Sequence, residues 1–157
     1  MPAASESAVG GNLSLALFDM RCKDLGVRPT EAELQRFLAA VQAQASEDQR
    51  TVKLRSLQLG SRAGPLLARS LSPSVTSLDL HGNGGLSESG ALALIPLIVD
   101  GGTLRSLDLG GCGVGGAFAP ALARSLLLRP SGTPLRTLQL GSPEQGLARP
   151  NRLGSGV

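Results

Sequence analysis

The chain is 157 residues long, sized for one domain, and carries only three aromatic residues (Phe18, Phe37 and Phe118) with neither Trp nor Tyr. Its core must therefore be aliphatic, which suits a stacked, extended array better than a compact sandwich or an α/β enzyme. The net charge of +3 is uneven, because residues beyond Asp100 hold six Arg against Asp108 and Glu144. A basic C-terminal third could meet an acidic partner or nucleic acid, but single-strand binding wants several stacking platforms and that third has only Phe118. Two cysteines, Cys22 and Cys112, are too few for a disulfide framework and form no C-x-x-C zinc pair.

Residues 1–11 are small, mostly polar and aperiodic, so they read as a disordered tail with no secretory signal. Residues 12–50 read as an N-terminal helical cap. Asn12 is placed to cap a helix over 13–25, with Leu15, Phe18, Cys22 and Leu25 as its apolar stripe and Gly26 as a left-handed stop. A second helix starts at Thr30, where Thr30 and Glu33 form a capping box, and Leu34, Phe37, Leu38 and Val41 supply the buried face.

Residues 51–140 are organised by one pattern, Leu/Val-x-x-Leu-x-Leu, that occurs four times: Leu54 to Leu59, Val75 to Leu80, Leu104 to Leu109 and Leu135 to Leu140. Their first positions are 21, 29 and 31 residues apart. Self-similarity at such a period marks a repeat array in which each unit buries its apolar side against its neighbours. The motif leucines should point into the core from short strands, and the residues between them outward. Apolar segments after the strands, 66–71, 91–99 and 117–128, read as helices. Pro65 fits the first turn of its helix, whereas Pro96 should kink or shorten its own. Asn83 and Cys112 both stand three residues past the last strand leucine, where a side chain can serve the turn backbone. The first unit is short, with Arg62 where Asn or Cys is expected, and the fourth has a strand but no helix.

The run Leu-x-x-Leu-x-Leu-x-x-Asn/Cys followed by a helix resembles the ribonuclease-inhibitor-like, intracellular type of leucine-rich repeat. That resemblance covers residues 52–140 and implies an α/β solenoid of about three and a half units: a short curved parallel sheet, helices on the convex side, and the 12–50 helices covering its first end. Residues 141–157, rich in Gly, Pro and Arg, read as a disordered or truncated tail, so the chain reads as a fragment of a longer repeat protein or as one whose last leucines another chain covers.

The candidate chemistry is sparse. Gly111-Cys-Gly113-Val-Gly-Gly116 is a literal G-x-G-x-x-G between a strand and a helix, but Gly82 and Gly84 stand at the same places in the preceding unit and no acidic residue follows at the required distance. The glycines therefore read as a property of the turn. His81, the only histidine, falls in line with Gly60, Gly110 and Gly141 and reads as an exposed polar contact; Asp79 alone could not complete a metal site with it. Catalytic residues, metals and cofactors are not expected.

The informative residues are two outward rows, Ser56, Ser77, Ser106 and Thr137, and Gln58, Asp79, Asp108 and Gln139, with His81 beside them and Arg55, Arg105 and Arg136 as a basic edge. These rows imply a non-enzymatic module that binds a protein partner through the concave face, in the cytoplasm, with no small-molecule substrate and no membrane, and with nucleic acid disfavoured. A scaffold role in a cytoskeletal or ciliary assembly is an alternative, because the run Phe18-x3-Cys22-x3-Gly26-x2-Pro29-x4-Leu34 resembles segments preceding the repeats of some centrosomal and flagellar proteins. Regulation of a small GTPase or other enzyme is another, carried by architecture alone.

Overall fold

The computed structural model describes residues 10–99, 103–128 and 134–141. The terminal tails expected from the sequence lie outside these residues apart from Gly10, Gly11 and Gly141. Helices α1 (Gly11–Leu25) and α2 (Glu31–Ala43) precede strand β1 (Thr51–Lys53). There follow α3 (Ala63–Ser70), β2 (Ser77–Asp79), α4 (Ser87–Ala93), α5 (Ile95–Val99), β3 (Ser106–Asp108), α6 (Phe118–Leu127) and β4 (Thr137–Gln139). The architecture is α/β: the strands form one four-stranded parallel sheet in the order of the chain. Parallel neighbours cannot be joined by a tight turn, and α3, α4–α5 and α6 lie in the three crossovers.

The first strand is not where the leucine motif put it. Thr51, Val52 and Lys53 pair with Ser77, Leu78 and Asp79, so Val52, Leu78, Leu107 and Leu138 share one register. The expected strand from Leu54 to Leu59 is instead a coil, in which Ser56 and Gln58 take φ of 54° and 57°. In the actual register, successive strands are 26, 29 and 31 residues apart. The interval of 21 residues matches Leu54 to Val75, five residues out of step: in the actual register Leu54 stands opposite Leu80.

On the inward face Val52, Leu78 and Leu107 are at most 1% exposed, and Leu54, Leu80 and Leu109 are fully buried. Helix α3 packs on α4, and α4 on α6. The first contact is a close backbone approach: a Cβ on Gly64 would collide with the Gly90 carbonyl, and one on Gly90 would meet the Leu86 side chain. Pro65 and Pro120 each stand third in their helices, α3 and α6, where a missing N–H breaks no intrahelical bond. Pro96 behaves otherwise. The apolar stretch breaks at Leu94 into α4 and the short α5, as expected of a residue that cannot donate to the preceding turn.

The N-terminal helices pack on this layer through α1, which contacts α3. Gly10, not Asn12, is the N-cap of α1, and no side chain caps it. Its buried residues are Ser14, Leu17, Phe18 and Cys22, whereas Leu15 and Leu25 of the expected stripe are about half exposed. The i, i+3, i+4, i+8 set of Ser14, Leu17, Phe18 and Cys22 faces the core, so the expected stripe is met at Phe18 and Cys22 and not at Leu15 and Leu25. Gly26 ends α1 at φ 69°, with its N–H on the Lys23 carbonyl and the Val27 N–H on that of Cys22. Thr30 Oγ1 accepts from the Glu33 N–H at 3.2 Å, which is the Thr30 half of the expected capping box. Phe18 and Phe37 meet at 5.5 Å between ring centroids, with the Arg21 guanidinium over both.

Candidate interaction face

The turns after β2 and β3 are each built around one buried side chain. Asn83 is fully buried and makes four hydrogen bonds. Its Oδ1 accepts from the N–H groups of Leu57 (2.9 Å) and Leu59 (3.1 Å), and its Nδ2 donates to the carbonyls of Leu54 (2.8 Å) and Leu80 (2.6 Å). Two N–H groups two residues apart would point the same way from a strand only at strand spacing. The left-handed backbone at Ser56 and Gln58 curls the coil so that both reach a single oxygen. Gly82 and Gly111 take left-handed φ at the places corresponding to Ser56, and Gly113 does so at that of Gln58. Cys112 does in the next turn what Asn83 does here, donating its thiol to the Leu80 carbonyl at 3.0 Å. Burial pushes the Cys112 thiol up to about 12, so it is a packed weak donor and not a reactive thiolate. Burial likewise raises Cys22. Leu57, and not Arg62, stands at the place of Asn83 and Cys112 in the first unit.

The glycine-rich motif is occupied by protein. A Cβ on Gly115 would collide with the Glu88 carboxylate, whose Oε2 accepts from the Ala117 N–H at 3.1 Å. Ala117 caps α6, so Glu88 of α4 sits where a pyrophosphate would. The first unit repeats the device: Asp24 of α1 fills the space over Gly60 and accepts from the Arg62 N–H at the start of α3. Carboxylates complement both helix N-termini.

On the outward face the registers give two rows across the sheet. One is Thr51, Ser77, Ser106 and Thr137; the other is Lys53, Asp79, Asp108 and Gln139. The structure thus brings together Ser77, Asp79, Ser106, Asp108, Thr137 and Gln139 as expected. It removes Ser56 and Gln58, which lie in the coil; Gln58 accepts from Arg21 at 2.8 Å. Thr51 and Lys53 take their places. The signal for them was in the sequence: Thr51-Val52-Lys53-Leu54 also alternates and starts with β-branched residues.

The basic edge shifts in the same way. Thr76 N–H donates to the Arg50 carbonyl, Arg105 N–H to that of Thr76, and Arg136 N–H to that of Arg105. The row at the strand entrances is therefore Arg50, Thr76, Arg105, Arg136. Arg55 lies past the other end of β1, in the row of His81 and Gly110, because the Ser56 N–H bonds the His81 carbonyl and the Gly82 N–H that of Gly110. His81 is accordingly in line with Arg55 and not with Gly60.

His81 is 4% exposed, not the surface contact the sequence suggested. Its ring lies over Gly110, where a Cβ would come within 2.7 Å of Nδ1, and Nδ1 is 3.5 Å from Asp108 Oδ1. Both acids of the face are engaged. Asp79 Oδ1 accepts from the His81 N–H at 3.0 Å and its Oδ2 is 3.4 Å from Arg55 Nε; Asp108 Oδ1 accepts from the Gly110 N–H at 2.8 Å. Each Asp thus closes an Asx turn at the end of its strand.

At the β1 edge, Gln44 imitates a neighbouring strand: its Oε1 accepts from the Arg55 N–H at 2.7 Å and its Nε2 donates to the Arg55 carbonyl at 2.9 Å. The amide satisfies an edge backbone that would otherwise be a template for pairing.

Among the described residues no group of three or more His, Cys, Asp or Glu is placed to hold a metal ion, and no helix is long and apolar enough to cross a membrane. No protein-family model matches the chain, and no curated protein matches it.

Proposed function

We propose that the chain is a non-enzymatic protein-interaction module of the ribonuclease-inhibitor-like leucine-rich-repeat type, acting in the cytoplasm through the polar face of its sheet. The observation that carries this reading is the shared register: one face stacks Val52, Leu78, Leu107 and Leu138, and the other stacks hydroxyls and charges in rows four strands wide. The Asn83 and Cys112 turns add to it, because buried side chains serving turn backbones at equivalent places are what a repeated unit needs. A row of Ser77, Ser106 and Thr137 without bulky side chains leaves the main chain approachable by a partner's own anchors, and its polar groups fix orientation.

A photoreactive residue at Ser106 tests the proposal against one at Gln35, which is exposed on α2. In cells, discrete protein adducts should form from position 106, and the partner so identified, once purified, should bind the chain and lose affinity when Ser106 is replaced by Arg. Adducts from position 35 alone, or an affinity indifferent to Ser106→Arg, would sink the assignment of this face.

A further inference from the structure

The charges of the face are unequal in what they are free to do. Asp79 and Asp108 are held by backbone N–H groups and by Arg55 and His81. Arg50, Lys53, Arg105 and Arg136 are all exposed, and none makes an ion pair among the described residues. Asp48, at the entrance of β1, accepts in the same way from the Arg50 N–H and the Thr51 hydroxyl. The three acids are taken up in building the strand ends, and the four cations on and beside the rows are not.

Resting on the proposed interaction role, we propose that the partner presents an extended acidic segment, rich in Glu or Asp, that lies across the strand entrances. Arg105 and Arg136 are on directly hydrogen-bonded backbones, one strand spacing of about 4.8 Å apart, and Arg50 is two spacings from Arg105 on the other side of Thr76. Guanidinium groups so placed offer forked donors to successive carboxylates, while Lys53 adds a charge in the row beyond. The hydroxyls of Ser77, Ser106 and Thr137 lie in the row between Lys53 and the arginines and can donate to carboxylate oxygens or to peptide carbonyls, whereas that of Thr51 already donates to Asp48 Oδ2 at 3.4 Å. Nucleic acid would present anions too, but base stacking has nothing to meet: Phe18, Phe37 and Phe118 are all buried. A basic partner would face the same four cations.

Four strands span about 14 Å, and an extended peptide rises about 3.3 Å per residue, so a glutamate peptide of about eight residues covers the face with overhang. The test is fluorescence anisotropy of such a labelled oligoglutamate with the purified full chain, beside an oligoglutamine of equal length and a single-stranded oligonucleotide of equal charge. Oligoglutamate should bind, weaken steeply with salt, and lose on the order of twentyfold in the double variant Arg105→Glu/Arg136→Glu, while oligoglutamine should not bind. Arg36→Glu on α2, with its circular dichroism compared, serves as the control for charge and folding and should change affinity less than about twofold.

Equal affinity in the double variant, or an oligonucleotide bound more tightly than oligoglutamate, overturns the acidic-peptide proposal. If oligoglutamate fails while adducts still form from position 106, the partner chemistry falls and the face stands. If both fail, the interaction role falls with it.

Discussion

Asn83 is the residue on which the most backbone depends. Replacing it with Ala would leave the buried N–H groups of Leu57 and Leu59 and the Leu54 carbonyl without these partners, while the Leu80 carbonyl keeps the Cys112 thiol and the N–H of residue 83. Unsatisfied buried groups cost about 1–3 kcal/mol each before relaxation and water entry, so Asn83→Ala should lower stability by about 4 kcal/mol in urea unfolding. A loss under about 1 kcal/mol would mean the coil holds itself.

Cys112 makes a second prediction, with a sign. Its thiol ordinarily titrates at 9.0 and is pushed up to about 12 in the fold, so its contribution is fully present below pH 9 and is lost as pH rises through 12. Over that window the loss approaches about 4 kcal/mol, at roughly 1.4 kcal/mol per unit. The chain has no Tyr to confuse the titration. Urea midpoints should fall between pH 9 and pH 11 in the parent chain and fall less in Cys112→Ala.

At the scale of elements, helix starts are completed by the side chain of a neighbouring helix. Glu88 of α4 caps α6 and Asp24 of α1 caps α3, and in both places a glycine, Gly115 or Gly60, leaves the room. Glu88→Ala should lower stability by about 1 kcal/mol, with Glu88→Gln recovering part because it keeps an acceptor but not the charge. An unchanged urea midpoint in Glu88→Ala would show that water serves the α6 N-terminus equally well.

These caps also show what the sequence could and could not reveal. The N-cap at Thr30, the Gly26 stop, the break before Pro96 and the Asn83 bond to the Leu80 carbonyl are local, and local chemistry makes them legible. Glu88 over the Gly111–Gly116 turn is a contact between residues 29 apart, and no spacing rule announces it. The β1 register failed for a related reason. Leu57 and Leu59 are as apolar as strand leucines, but they face the core from a coil that only the Asn83 carboxamide, 24 and 26 residues away, makes possible. The face was legible where Leu-x-Leu coincides with a strand and was displaced by that error at Ser56, Gln58 and Arg55. His81 could not be read as buried, because its cover depends on Gly110 having no side chain in the adjacent strand.

Across the molecule, the sheet separates two tasks. Its inward leucines and the α3–α4–α6 layer hold the fold, and its outward rows are free of any part in the core. Just past β1, Gln44 takes up the N–H and carbonyl of Arg55. The proposed role rests on this division. Amide NMR of the isotope-labelled chain, titrated with the partner identified from position 106, tests it most directly. Shift changes should concentrate on Thr51, Lys53, Ser77, Asp79, Arg105, Ser106, Arg136 and Thr137; changes confined to α1 to α6, with those residues silent, would contradict it.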